Sequence, residues 1–353
     1  MKNLPHLEYL HVQNFKSFKE IDLKLNRFNV IIGANASGKS NFVQIFNFLK
    51  DIREYGLDNA ISLHGGIEYF ANFQLGQEQN LVLELKISLQ DDLMRRPFQR
   101  DKDFLIFYTG ATWKFELRFG KSSGFKIIRD VWDVDIVAYQ SDKPNDQIKG
   151  CIKIMVKGGK LYHEVCLPQD NPALRSNLDK FWLGDKIPSK KTILEYPFIL
   201  DYLFPQLGNF FNNMMVYDFD PKLAKRADQL SGKFELNHDA SNLAIIIKDV
   251  ISKSDDKRKF FNLLTDVLPY VKSVSTENVA DNSILFTLTE NHFEKHSLPS
   301  LLISDGTINI ISLIIALYFQ DNSLTIIKEP ERHIHPSLMP KLIEMMNEAS
   351  SYR

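Results

Sequence analysis

Gly33-Ala34-Asn35-Ala36-Ser37-Gly38-Lys39-Ser40 places two glycines around a short polar stretch and follows the second directly with Lys and Ser. That spacing suits a polyphosphate. The glycines let backbone wrap it, amides and a helix N-terminus offer partial positive charge, and Lys39 reaches the terminal phosphates. Ser40 is the candidate metal ligand for Mg2+. Gly33, Asn35, Ser37, Gly38, Lys39, Ser40 and Asn41 are the candidate nucleotide-binding residues. An ordinary strand-to-helix turn would not require Lys-Ser after the second glycine. The loop alone does not separate a kinase, a GTPase, a helicase or a cassette ATPase.

A second constellation lies near the C-terminal end. Ser304-Asp305-Gly306-Thr307 precedes an apolar helical run, so its hydroxyls and amides sit where a helix dipole favours an anion. Ser and Asp are also common N-cap residues, and capping alone would account for the pattern. One helix downstream, the apolar strand at 324–327 runs into Lys328-Glu329-Pro330-Glu331, where a P-loop enzyme carries its metal-supporting and catalytic acids. His333 and His335 could present two imidazoles on one side of an extended segment, but no third ligand is evident. A loop in which His335-Pro336 opens a helix is the simpler reading.

These residues must be held by regular elements. Residues 7–12, 21–25 and 28–32 read as three strands, the last a continuous apolar run expected to be a buried central strand. Phe42, Ile45, Phe46, Leu49 and Ile52 recur at helical spacing after the loop, giving one strand-loop-helix unit over 28–53. Alternating apolar and polar residues between 80 and 165 predict antiparallel strands. Prolines from Pro168 to Pro221 break a mixed segment into short helices and loops. Beyond it, 242–251 and 259–268 read as helices, 283–288 as a strand, and a helix runs from the Ser304 segment to residue 319.

Composition excludes several classes. The 353 residues carry a net charge of -1, which provides no overall field toward nucleic acid or anionic membrane, so any such contact must be local. Arg95-Arg96, Lys190-Lys191 and Lys257-Arg258-Lys259 are the local basic groups, with solvated surface charge as their ordinary reading. Cys151 and Cys166 lack metal-ligand spacing and are expected to be buried free thiols in a reducing cytoplasm. No apolar leader opens the sequence and no run of about 18 apolar residues occurs, so neither secretion by that route nor a membrane span is expected.

Taken together, these motifs resemble those of the RecF-like and SMC-like ABC-type ATPases, an AAA-family, AAA_21-like group, over nearly the whole chain. Asn14-Phe15-Lys16-Ser17-Phe18 resembles the family's opening, residues 57–66 a glycine-bearing segment after its phosphate-loop helix, and 239–243 a stretch before its final helices. Residues 302–307 resemble its signature, and 329–336 its catalytic-acid and following loop. The resemblance implies an α/β fold, an ABC-type P-loop ATPase head with a mixed β-sheet, an antiparallel β subdomain and a mainly helical lobe. It divides the chain into 1–165, 166–275 and 276–353.

In that family two protomers sandwich two nucleotides, which implies an ATP-dependent homodimer. Ser304 and Gly306 then act across the interface, while Lys39 and Ser40 act within one subunit. Glu329 becomes the catalytic residue and Lys16 a contact near the α-phosphate, although a solvated turn lysine reads as well there. Gln74, Gln77, Gln79 and Gln140 all compete for the family's glutamine. Two departures stand out. Lys328 occupies the position of an acid, where a cation near Mg2+ would be repelled, and the residues end at Arg353, before the family's last strand and switch histidine.

Three functions follow. An ATPase motor or switch uses ATP and Mg2+ to close and reopen the dimer. An ATP-gated scaffold with little turnover recruits an effector such as a nuclease or toxin, a reading favoured by Lys328. A small-molecule kinase fits least, because no acceptor-binding lid is recognisable. Family analogy adds nucleic-acid transactions and antiviral defence as the setting.

Overall fold

The computed structural model describes residues 5–89, 99–100, 103–120, 124–140, 143–157, 159–168, 171–179, 187–188, 190–229, 232, 234–279, 282–293 and 296–352. The chain is a mixed α/β protein that divides into two units, Met1–Met214 and Met215–Tyr352. The boundary falls inside the segment 166–275.

The first unit is built on one large antiparallel sheet. Its strands are β1 (His6–Phe15) and β2 (Phe18–Lys24), and then, after helices α1 (Lys39–Tyr55), α2 (Leu57–Leu63) and α3 (Ile67–Phe70), β3 (Leu81–Ser88) and β4 (Gln99–Arg100). The series continues with β5 (Phe104–Phe119), β6 (Phe125–Gln140), β7 (Lys143–Lys157) and β8 (Lys160–Cys166). The spatial order is β2-β1-β3-β5-β6-β7-β8, with β4 beside β5. Helices α4 (Pro172–Asp179) and α5 (Pro205–Asn212) complete the unit. The alternation between 80 and 165 is thus realised as an antiparallel meander.

Period-2 patterning decides what the sheet buries. Trp113 and Trp132 face each other across β5 and β6, stacked at 5.7 Å. The indole of Trp113 donates to Asp130 Oδ1 at 2.9 Å, and the Ile193 amide donates to Asp130 Oδ2 at 2.6 Å. These donors offset part of the cost of a fully buried carboxyl, whose pKa burial nevertheless raises. In α1, Phe42, Ile45, Phe46, Leu49 and Ile52 are all buried, as their spacing predicts. Phe15, Phe48 and Phe70 meet beneath the β1–β2 turn, with Phe70 ring centroids 5.0 Å from Phe15 and 4.6 Å from Phe48.

Two expectations need correction. Residues 28–32 form no strand, and Val30, Ile31 and Ile32 are 62%, 49% and 87% exposed. An apolar run signals burial only where a neighbouring strand covers it, and none of the described ladders includes this one. Cys151 and Cys166 are free, as expected, but only partly buried. They face each other across β7 and β8. Burial and the neighbouring thiol push Cys151 up to about 12, which keeps it un-ionised and weakly nucleophilic.

The second unit begins with β9 (Met214–Tyr217), α6 (Pro221–Ala224), β10 (Asp228–Gln229), α7 (Leu243–Ser252) and α8 (Ser254–Val267). It continues through β11 (Val271–Val279), β12 (Ser283–Glu290), β13 (Ser297–Pro299), α9 (Asp305–Tyr318), β14 (Leu324–Ile327) and α10 (Met339–Tyr352). Strands β10, β12, β11 and β13 form one small antiparallel sheet, and β14 pairs with β9 in another. Helix α9 is the hub, buried continuously from Thr307 to Leu317. Apolar side chains all round a helix require neighbours on every side. None of the described helices is long and apolar enough to cross a membrane.

Candidate functional site

Lys39 folds back over its own loop. Its ammonium donates to the Gly33 carbonyl at 2.6 Å and to the Ala34 carbonyl at 2.9 Å, while the Ser37 amide donates to Ala34 O at 3.2 Å. A Cβ on Gly33 would come 2.5 Å from Ser37 Oγ. Gly38 caps α1 at φ 100°, and a Cβ there would meet Ser17 Oγ at 2.9 Å and the Phe18 ring at 3.2 Å. Gly38 is therefore demanded by backbone conformation and by the Phe18 ring, whereas at Gly33 a Cβ would have to displace the Ser37 hydroxyl. No acidic side chain occupies the first turn of α1, so its amides keep their positive end for an anion. Asn35, Ser37 and Ser40 are exposed along the loop and Asn41 is half-buried.

The β1–β2 turn supports this loop. Asn14 and Lys16 both adopt left-handed conformations, φ 57° and 49°. Buried Asn14 donates to Gly76 O at 3.0 Å and Gln79 O at 2.7 Å, and accepts from the Asn72 amide at 2.9 Å. Asn72 Nδ2 returns to Lys16 O at 2.7 Å, and the Lys16 amide donates to Phe70 O at 2.9 Å. Lys16 Nζ reaches His64 O at 3.3 Å, and burial lowers its pKa. The turn is thus fastened to 64–79 on one side and lies against Gly38, through Ser17 and Phe18, on the other. Of the competing glutamines, Gln74 follows Asn72 directly in this network through its amide, whereas Gln140 ends β6.

In the second unit Ser304 caps α9. Its Oγ accepts from the Thr307 amide at 3.2 Å and lies 2.7 Å from Thr307 Oγ1, which meets the Tyr270 hydroxyl at 2.9 Å. Asp305 pairs with Lys225, which holds its carboxyl below the usual range. Gly306 sits against backbone, for a Cβ there would lie 2.5 Å from the His333 carbonyl oxygen. Asn309 Nδ2 donates to Arg332 O at 2.6 Å. The start of α9 is therefore locked onto the segment that follows β14.

Glu329 opens that segment at φ 44°, with an exposed side chain. Arg332 grips Glu329 Oε2 through Nε at 3.0 Å and a terminal nitrogen at 2.5 Å. Lys328 is not an isolated cation. Its amide donates to Tyr217 O at 2.9 Å, and its ammonium donates to Asp218 Oδ2 at 3.1 Å. Asp218 Oδ1 lies 3.7 Å from Arg332. Sequence reading missed Asp218, Asn309 and Arg332. The acid-rich Asp218-Phe219-Asp220-Pro221 after an apolar strand is the signal that could have pointed to Asp218. His335 caps the short turn Pro336–Leu338 through Ser337, as the simpler reading of the histidines expects.

Among the described residues no three His, Cys, Asp or Glu side chains gather to hold a metal. The donor set would fit Mg2+ only as a partner of phosphate oxygens, with the exposed Ser40 hydroxyl as the protein's candidate ligand. Of the local basic groups, Lys190, Arg258 and Lys259 have a close acidic or aromatic neighbour. Lys190 lies 3.8 Å from Asp58, Arg258 3.5 Å from Asp255, and Lys259 stands over the rings of Tyr318 and Phe319. Arg95-Arg96 lies outside the described residues.

Comparison with known proteins identifies the family. Residues 173–353, just over half the chain, match the family model described as "AAA domain, putative AbiEii toxin, Type IV TA system", and residues 6–128 match the model "AAA ATPase domain". The chain is similar to Endonuclease GajA of Bacillus cereus (strain VD045), with 37% identity over 51 residues. That match covers 14% of this chain and 9% of the endonuclease. The chain belongs to the AAA-domain family of the first model, and the AAA ATPase domains imply a P-loop fold and nucleotide binding.

Proposed function

We propose that, as a member of that family, the chain is an ABC-type ATPase that binds ATP and Mg2+, dimerises on ATP, and uses that cycle to drive or gate a nucleic-acid-related or antiviral-defence complex. The observation that carries the reading is Lys39 lying over the Gly33 and Ala34 carbonyls, in a loop that Gly38 closes in a left-handed conformation against Ser17 and Phe18. A polyphosphate offers this ammonium a better partner than neutral carbonyls do.

In this reading Gly33, Asn35, Ser37, Gly38 and Asn41 line the phosphate path, Lys16 supports its near end, and Ser40 holds the metal. Held by Ser40 and the nucleotide, Mg2+ would supply neutralisation of the phosphate charge. Glu329 takes a proton from the attacking water as its oxygen bonds to the γ-phosphorus and the bond to the β–γ bridging oxygen breaks, giving ADP and phosphate. Ser304 and Gly306 of a second copy meet the γ-phosphate, so ATP, and not ADP, joins the protomers.

Lys328, in a position where an acid would support the metal, favours a second reading. The chain would then be an ATP-gated scaffold with little hydrolysis that recruits an effector nuclease or toxin. The names of the endonuclease relative and of the toxin family model support an effector partner.

Calorimetric titration with a non-hydrolysable ATP analogue tests the shared premise, with Lys39→Ala expected to lose binding while staying folded. Undiminished affinity in the folded variant would remove the loop from the mechanism. Phosphate release at saturating Mg2+ and ATP separates the two readings, the first expecting turnover and the second almost none. Light scattering with ATP and with ADP tests dimerisation, which Ser304→Arg is expected to abolish.

A further inference from the structure

Lys328 and Glu329 are consecutive, so a cation stands beside the proposed hydrolytic acid. Asp218 answers it from the end of β9. The backbone bond from the Lys328 amide to Tyr217 O pins the residue after Tyr217 next to Lys328. Asp218 then divides its carboxylate, with Oδ2 3.1 Å from the Lys328 ammonium and Oδ1 3.7 Å from Arg332. Arg332 in turn holds Glu329 Oε2 at 3.0 and 2.5 Å. Two cations and two carboxylates close a chain of zero net charge.

We propose that Asp218 is a positioning residue for hydrolysis, neutralising Lys328 and holding Arg332 against Glu329, so that the cation beside the acid no longer opposes a metal-bound nucleotide. This rests on the ATPase reading above. Without Asp218 the ion-pair chain carries one more positive charge, and Arg332 keeps Glu329 as its direct carboxylate contact, with Asp220 acting at longer range. Like charge near a divalent metal is repulsive, and the side chains are exposed enough (Asp218 42%, Lys328 33%) for water to weaken that repulsion without cancelling it.

The test uses the full chain, with binding of a non-hydrolysable ATP analogue measured with and without Mg2+, and phosphate release alongside. In Asp218→Asn the gain in affinity on adding Mg2+ is expected to fall by about tenfold, with metal-free affinity kept or raised, because the uncompensated cation attracts bare polyphosphate and opposes the metal. Turnover is expected to fall with it. Asp218→Glu is expected to retain both, and Asp218→Asn combined with Lys328→Met to recover the Mg2+ gain. A merely structural role would lower affinity with and without the metal alike, and that result would overturn the inference. So would an unchanged Mg2+ gain and unchanged turnover in Asp218→Asn. Asp218→Ser serves the same comparison if the Asn variant does not fold. No binding of the analogue by the unsubstituted chain would overturn the nucleotide reading and this inference together.

Discussion

The His333 carbonyl oxygen occupies the space in which a side chain at position 306 would begin, 2.5 Å from where its Cβ would stand. This contact fastens the start of α9 to the segment after β14, so Ser304 and Glu329 are held by one backbone junction.

Gly306→Ala tests that junction. Alanine favours a helix over glycine by about 1 kcal/mol, but the added methyl would strike a backbone carbonyl that cannot rotate away. Overpacking wins, and a net loss of about 1–3 kcal/mol is expected in urea or thermal denaturation. A stabilised variant would mean that the segment after β14 gives way freely.

Glu329→Gln keeps shape and removes the proton acceptor. Turnover is expected to drop by at least about 100-fold, within the range that general-base groups contribute, while ATP binding and ATP-dependent association persist. Single-turnover phosphate release and light scattering measure the two effects. Unchanged release would assign the base to another carboxylate.

Asp305 provides a pH dependence. Lys225 depresses its folded-state pKa below the ordinary carboxylate value, so the pair stabilises the fold above the unfolded-state pKa and is lost as pH falls through the depressed one. Asp305→Asn should therefore reduce the melting temperature near neutral pH and match the unsubstituted chain in strong acid. A difference that persists undiminished on the acid side would point to packing instead of charge.

Phe70→Ala removes a fully buried ring that touches Phe15 and Phe48, behind the turn whose Lys16 amide donates to Phe70 O. A loss of about 3–5 kcal/mol is expected for a buried phenylalanine. Nucleotide affinity should weaken in the folded fraction as well, because the same turn backs Gly38. Calorimetry in stabilising osmolyte separates the two effects, and full affinity in the folded variant would show that the loop does not depend on this turn.

Local features were legible in the sequence because their causes are local. The polar loop before α1, the buried face of α1, the Ser304 cap and the strand Leu324–Ile327 each follow from residue type and spacing within one or two turns of chain. The antiparallel meander between β3 and β8 follows from alternation in the same way. Residues 28–32 were misread for a corresponding reason, since an apolar run specifies a buried strand only when tertiary structure lays a partner beside it. The ion-pair chain from Lys328 through Asp218 and Arg332 to Glu329 spans more than a hundred residues of sequence. Only the pairing of β14 with β9 decides that Asp218 meets Lys328, and only the closeness of α9 to the His333 carbonyl makes glycine necessary at 306. Periodicity records which face of an element is apolar, whereas charge compensation and close backbone approach depend on what that face comes to lie against.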